Sequence, residues 1–175
     1  MPDAPSVSPR DEVDRIIAGW AQARTDLDAA PMAVFSRISR LSRHLETARR
    51  AAFTAAGLEG WEFDMLSALR RSGDSALSPG ALMQQTLVTS GTMTTRIDKL
   101  VARSLVSKSR SPHDGRAVEV RLRPEGIALV DAAMEALLTA ERDLLEPLGE
   151  HGRGELARTL RALLLTLEAE DSGGS

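Results

Sequence analysis

The apolar positions of this chain fall into seven helical stripes, interrupted once by a short alternating segment. The first helix begins at Asp11 with acids in its opening turn, favourable at the positive end of the helix dipole. Val13, Ile16, Ile17, Trp20 and Leu27 lie near one face of it, and it ends before Pro31. A longer helix from about Pro31 to Ala56 carries Val34, Phe35, Ile38, Leu41, Leu45, Ala48 and Phe53, with Gly57 placed to terminate it. The spacing predicts a third helix over Trp61–Arg71, with Phe63, Leu66 and Leu69 inward and Ser72-Gly73 closing it.

Ser78 followed by Pro79 is a strong helix start, because Ser caps free N–H groups and Pro has none to leave unpaired. Leu82 and Met83 supply the buried side of this short helix, and Leu87 with Val88 plug the turn beneath it. Thr89 or Ser90 caps the next helix, over 90–102. There Met93, Ile97, Leu100 and Val101 recur at i, i+4, i+7 and i+8, Thr92, Thr95, Lys99 and Arg103 face the other way, and Thr94 and Arg96 lie towards the flanks. The period then changes to two. Leu105 and Val106 open a strand, Val118, Val120 and Leu122 alternate with Glu119, Arg121 and Arg123 in its partner, and Pro112–Gly115 supplies the turn. Helical spacing returns at Pro124 with Ile127, Val130, Met134, Leu137 and Leu138, breaks at Pro147, and resumes over about 153–167 with Leu156, Leu160, Leu163, Leu164 and Leu167.

Helix, turn, helix and hairpin in that order predict a mainly α fold with a small β-hairpin wing: a winged helix-turn-helix core with further helices at both ends. The chain divides by role into a tail (1–10), N-terminal helices (11–57), the winged region (58–123), C-terminal helices (124–170) and a second tail (171–175). The flanking stripes exceed what the small core can cover. Either they form a bundle of their own or they bury each other across a two-fold axis, and a DNA-reading role favours the homodimer.

Composition narrows the class. The chain has 175 residues, 42% hydrophobic and 27% charged, the values of an ordinary globular protein. Aromatics make up 3%, too few for a base-stacking platform on single strands. Without cysteine there is no thiolate chemistry or Cys-ligated metal, and His44, His113 and His151 are far apart, so neither metal nor cofactor is expected. The polar, Pro-rich start lacks a signal-peptide pattern and no apolar run reaches bilayer length, so the expected location is the cytoplasm, with no membrane partner. Net charge is −3, but it is unevenly placed: +5 from Arg96 to Arg123 and −7 from Pro124 to Ser175. Local charge governs attraction to phosphate, and the basic stretch coincides with the helix-hairpin segment.

The helix over 90–102 has the chemistry of a major-groove reader. Ser90, Gly91, Thr92, Thr94 and Thr95 are small and polar, allow close backbone approach, and offer hydroxyls to phosphates or base edges and methyls to thymine. Taken alone, that Ser/Thr-rich start equally describes a solvated helix face; the capped helix before it adds weight to the DNA reading. Lys99, Arg103, Lys108 and Arg110 are placed to neutralise phosphate, and Arg116, next to Asp114-Gly115 at the hairpin tip, to enter a minor groove. Asp114 is spaced to hold Arg116 by a charge-assisted pair, although Asp-Gly is also simply a turn dipeptide.

Ser78–Gly126, with Val88-Thr-Ser-Gly-Thr-Met-Thr-Thr-Arg-Ile-Asp-Lys-Leu100, Leu105-Val106, Asp114-Gly-Arg116 and Pro124-Glu-Gly126, resembles the MarR family of bacterial transcriptional regulators. The likeness extends in element order over about residues 31–168. It implies a homodimeric winged-helix repressor, less often an activator, on pseudo-palindromic double-stranded operator DNA. It also implies dimerisation through terminal helices and a small-molecule pocket whose occupancy releases DNA. Arg123 departs from the pattern, where the family often has a capping Thr. Trp20, Glu62-Phe-Asp64 and Thr95-Arg96 further resemble the urate-responsive branch, in which a Trp, an Asp and two Arg surround an anionic purine. That likeness implies a small anionic or aromatic effector at Trp20, Asp64, Arg96 and Lys108, although Lys108 lacks the planar fork of an Arg. The competing assignments are Trp20 in a dimer core, Asp64 as a first-turn helix acid and Arg96 as a phosphate clamp.

No enzyme signature accompanies these features. Ser111, His113 and Asp114 crowd one turn and cannot form a nucleophile–base–orienter triad, and the glycines lack the spacing of a phosphate-cradling loop. Two readings remain: a ligand-responsive DNA-binding regulator, or a helical protein-interaction module whose basic hairpin meets an acidic partner.

Overall fold

The computed structural model describes residues 9–73, 76–86, 90–110 and 117–173. They form α1 (Glu12–Ala23), α2 (Met32–Ala55), α3 (Gly60–Arg71), α4 (Pro79–Thr86), α5 (Ser90–Ala102), β1 (Val106–Arg110), β2 (Val118–Leu122), α6 (Pro124–Leu144), a short 3-10 turn (Glu146–Leu148) and α7 (Gly149–Gly173). The backbone separates into two compact units, Met1–Thr47 and Ala48–Ser175, with the division inside α2.

In the first unit, the Asp11 side chain accepts the Asp14 N–H at 3.0 Å while Asp14 accepts the Asp11 N–H at 2.9 Å, a reciprocal cap. Arg37 of α2 reaches back to both acids, at 2.8 Å to each. α1 stops at Ala23 rather than running to Pro31, so Leu27 is not on its stripe. Thr25, Asp26 and Asp28 follow, residues that favour local bonds to backbone: Asp28 accepts the Ala30 N–H, and Asp26 engages Arg24. On α2 the side chains of Val34, Phe35, Ile38 and Leu41 are exposed in this chain.

The second unit is built round α3, which packs against α4, α6 and β2. Gly57, at φ +72°, turns the chain out of α2, with the Leu58 N–H returning to the Phe53 carbonyl at 2.9 Å. Phe53 and Phe63 stack across the turn at 4.1 Å between centroids. The fully buried residues include Met65, Leu66, Leu69, Leu82, Met93, Ile97, Leu100, Val106, Val120 and Val130. At roughly 2 kcal/mol for each large apolar side chain removed from water, this cluster is the main source of cohesion in the unit. Ser78 caps α4 as the sequence indicates, its Oγ accepting the Ala81 N–H at 3.1 Å. α5 ends in a left-handed residue, Ser104 (φ +59°), with the Leu105 N–H bonded to the Leu100 carbonyl.

β1 and β2 pair antiparallel from Val106↔Leu122 to Arg110↔Val118. Leu77 adds a one-residue third strand, exchanging two backbone hydrogen bonds with Val120 at 3.1 and 2.9 Å. Arg123 supplies no side-chain cap to α6, which starts on Pro124. Gly126, in the first turn of α6, lies so close to the link between α5 and β1 that a Cβ there would sit 2.1 Å from the Leu105 carbonyl oxygen. Arg70 joins α3 to α6 through both oxygens of Asp131, at 2.9 and 3.1 Å. α7 begins four residues before the helix expected from periodicity, and its backbone continues to Gly173, into a segment that reads as tail from sequence. Leu156, Leu160, Leu163, Leu164, Leu165 and Leu167 are exposed along it.

Candidate nucleic-acid interface

α5 divides cleanly by burial. Met93, Ile97 and Leu100 point into the core, whereas Gly91, Thr92, Thr94, Thr95, Asp98 and Lys99 are exposed. Val101, expected on the buried stripe, is 38% exposed, whereas its neighbour Leu100 is fully buried. Among the described residues, and apart from its chain neighbours and own helix backbone, nothing lies within 4 Å of a Cβ built at Gly91, so the first turn presents open backbone. The Thr95 hydroxyl lies 3.5 Å from the Gly91 carbonyl, a long contact that leaves it able to turn outward. Thr89, Asp114 and Arg116 lie outside the described residues, as does the hairpin tip; Ser90 is the first residue of α5.

The cations around this face are not bare. Arg103 donates to Glu62 Oε2 at 2.5 Å and to the Gly57 carbonyl at 2.9 Å. Glu62 is 3% exposed and also accepts the Glu59 N–H at 2.9 Å, so this guanidinium serves as the counter-ion of a buried carboxylate. Lys108 on β1 pairs with Asp98 of α5 at 2.9 Å and cancels the acid on the exposed face. Arg121 pairs with Glu119 at 3.1 Å. Arg96 and Lys99 are held differently, over the ring of Trp61 at 5.3 and 5.9 Å from its centroid. The indole N–H in turn donates to Glu59 at 2.7 Å. Arg110 is exposed at the far end of β1.

Periodicity assigns Met93, Ile97 and Leu100 to the buried face and Thr92, Thr95 and Lys99 to the exposed one, as found, but it does not reveal the pairings of Trp61, Glu59 and Glu62. Trp61 meets Arg96 and Lys99, and Glu62 meets Arg103, all more than thirty residues further on, and no local pattern reports such a pairing. The one available signal was a Trp at the start of a helix in a chain with two tryptophans. Of the residues that the likeness to the urate-responsive branch gathers, Trp20 belongs to the first unit and Asp64, Arg96 and Lys108 to the second. Among the described residues Asp64 and Arg96 share no hydrogen bond or ion pair, and Lys108 is committed to Asp98.

A capped helix, a second helix with exposed Thr92, Thr94 and Thr95 on an apolar base and an adjoining hairpin define a winged helix-turn-helix protein. The comparisons with known proteins agree. The MarR family model matches residues 56–117. The regulator PecS of Dickeya dadantii is 34% identical over 158 residues, covering 90% of this chain and 93% of its own length. The repressor NicR of Pseudomonas putida is 30% identical over 153 residues, covering 85% and 93%. The structure of Bordetella bronchiseptica BpsR, whose DNA binding is regulated by 6-hydroxynicotinic acid, is 27% identical with a TM-score of 0.56, covering 73% of this chain and 98% of that one. The chain belongs to the MarR family. It is a transcriptional regulator, not an enzyme.

Proposed function

We propose that the protein is a homodimeric repressor that binds a pseudo-palindromic operator and releases it when a small aromatic anion binds. The observation that carries the reading is the division of α5, an acid-poor Ser/Thr face mounted on Met93, Ile97 and Leu100. Such a helix fits the major groove, with residues 90–95 at the base edges and the hairpin over the flanking minor groove. Two copies related by a two-fold axis would present their reading helices about one helical turn of DNA apart. Exposed apolar side chains on α2 and α7 favour that pairing over a monomer. Repression follows the names of the relatives, and the aromatic anion follows BpsR. A protein of this kind works in the cytoplasm.

The test is selection of duplexes from a random library, followed by affinity measured against salt. The reading expects a palindromic consensus and a steep salt dependence, with release by 6-hydroxynicotinate or urate in the same assay. Arg116→Ala is expected to weaken operator binding by about tenfold, as for a minor-groove arginine. A basic hairpin that bound only acidic protein would select no consensus.

A further inference from the structure

We propose that Trp61 is a positioning residue for the DNA-reading helix, holding Arg96 and Lys99 in place before DNA arrives; this rests on the operator-binding reading above. The Arg96 guanidinium and the Lys99 ammonium lie 5.3 and 5.9 Å from the indole centroid, both within the range in which an aromatic face attracts a cation. The ring has little freedom of its own. It is half-buried against the core of the second unit, and its N–H is fixed to Glu59 at 2.7 Å.

The chemistry of the holder matters. A carboxylate that orders a cation also neutralises it and competes with phosphate for its donors; Glu62 does this to Arg103 and Asp98 to Lys108. A π face orders the cation and leaves its charge intact. A ring offers no lone pair to the cation's N–H donors, which stay available to a phosphate oxygen. Arg and Lys carry the most rotamer freedom of any side chains, and contact with DNA must remove it. Trp61 removes part of it in advance. These four cations therefore fall into two pairs: Arg103 and Lys108 are committed to carboxylates, and Arg96 and Lys99 meet DNA.

The experiment uses the full chain and its selected operator duplex. Trp61→Leu is expected to weaken binding by roughly three- to tenfold, with the salt slope unchanged because no charge is lost. Trp61→Phe keeps a π face and is expected to stay within about twofold of the parent. In an Arg96→Ala/Lys99→Ala background, Trp61→Leu should cause no further loss. Parental affinity in Trp61→Leu, equal losses in the Leu and Phe variants, or an undiminished Trp61 effect in the doubly substituted background would each overturn the proposal. Should Trp61→Leu fail to fold, Trp61 emission in a Trp20→Phe protein decides. Removing Arg96 and Lys99 must alter that emission, and an unchanged spectrum overturns the contact. If the parent protein binds no duplex selectively, the operator reading falls and this role with it; if the parent binds and Trp61→Leu binds equally, only this inference falls.

Discussion

Arg103 and Lys99 are neighbours, the Arg103 N–H closing the last helical bond onto the Lys99 carbonyl at 3.1 Å, yet their side chains have different jobs. Arg103→Ala strands the buried Glu62 carboxylate. The guanidinium is 41% exposed, which holds the expected loss of stability to about 1–3 kcal/mol, measurable by thermal or denaturant unfolding. Lys99→Ala should leave unfolding unchanged and flatten the logarithmic salt dependence of operator binding by about one unit. The opposite assignment of the two effects would refute this division. From sequence both residues look like phosphate contacts, because helical spacing reveals the face of a residue but not a partner 41 residues away. Ser78 shows the converse: its cap joins it to Ala81 three residues on, and a local bond of that kind is readable. Gly126 is a third case, a motif residue whose reason is steric. Gly126→Ala must push backbone against backbone, and overpacking of that kind is expected to cost about 1–3 kcal/mol or more in unfolding measurements.

Elements followed the hydrophobic pattern wherever periodicity and end signals coincided. α2, α3 and α5 fall within a residue or so of the boundaries read from sequence, and α4 starts at Pro79 as its cap indicates. The misses occurred where the two signals diverged. α1 ended early because Thr and Asp outcompeted the helix, although Leu27 lay in register; the first turn of α7 is invisible to periodicity because residues 149–152 carry no apolar stripe. The junction of α1 and α2 gives a pH prediction. Hydrogen bonding from Arg37 holds the Asp11 carboxyl down from 3.8 to about 2. A depressed acid stabilises the fold fully above its unfolded value and loses that contribution as pH falls through the folded one. Docking of α1 by this pair is therefore expected to persist at pH 5 and to weaken between about 4 and 2. Carboxyl NMR titration should find the low midpoint, and Arg37→Ala should move it most of the way back to 3.8. A midpoint already at 3.8 in the parent would remove the Arg37 pair from solution.

For the whole molecule, the charge distribution along the sequence counts cations that the fold pairs internally. The +5 of residues 96–123 is real, but Glu62 and Glu125, from outside that stretch, and Asp98 and Glu119, within it, hold four of its cations as ion pairs. What reaches a ligand is the remainder, which only the tertiary structure sorts. The terminal helices were legible as apolar surplus, and their exposed leucines on α7 make the dimer testable. Replacing Leu160 and Leu164 with Glu places two charges one turn apart on that surface. Light scattering is expected to show monomer, with operator affinity reduced at least tenfold through loss of the second half-site. A stable dimer in this variant would exclude α7 from the interface.

The contact at Gly126 has one more consequence. α6 meets the root of the hairpin there with no side chain between the two backbones, and the Arg123 N–H is bonded to the same Leu105 carbonyl at 3.0 Å. A packed side chain can flex and absorb movement; two backbones in contact cannot. The joint works as a bearing without clearance, so a small roll of α6 must carry the end of the reading helix and the hairpin with it.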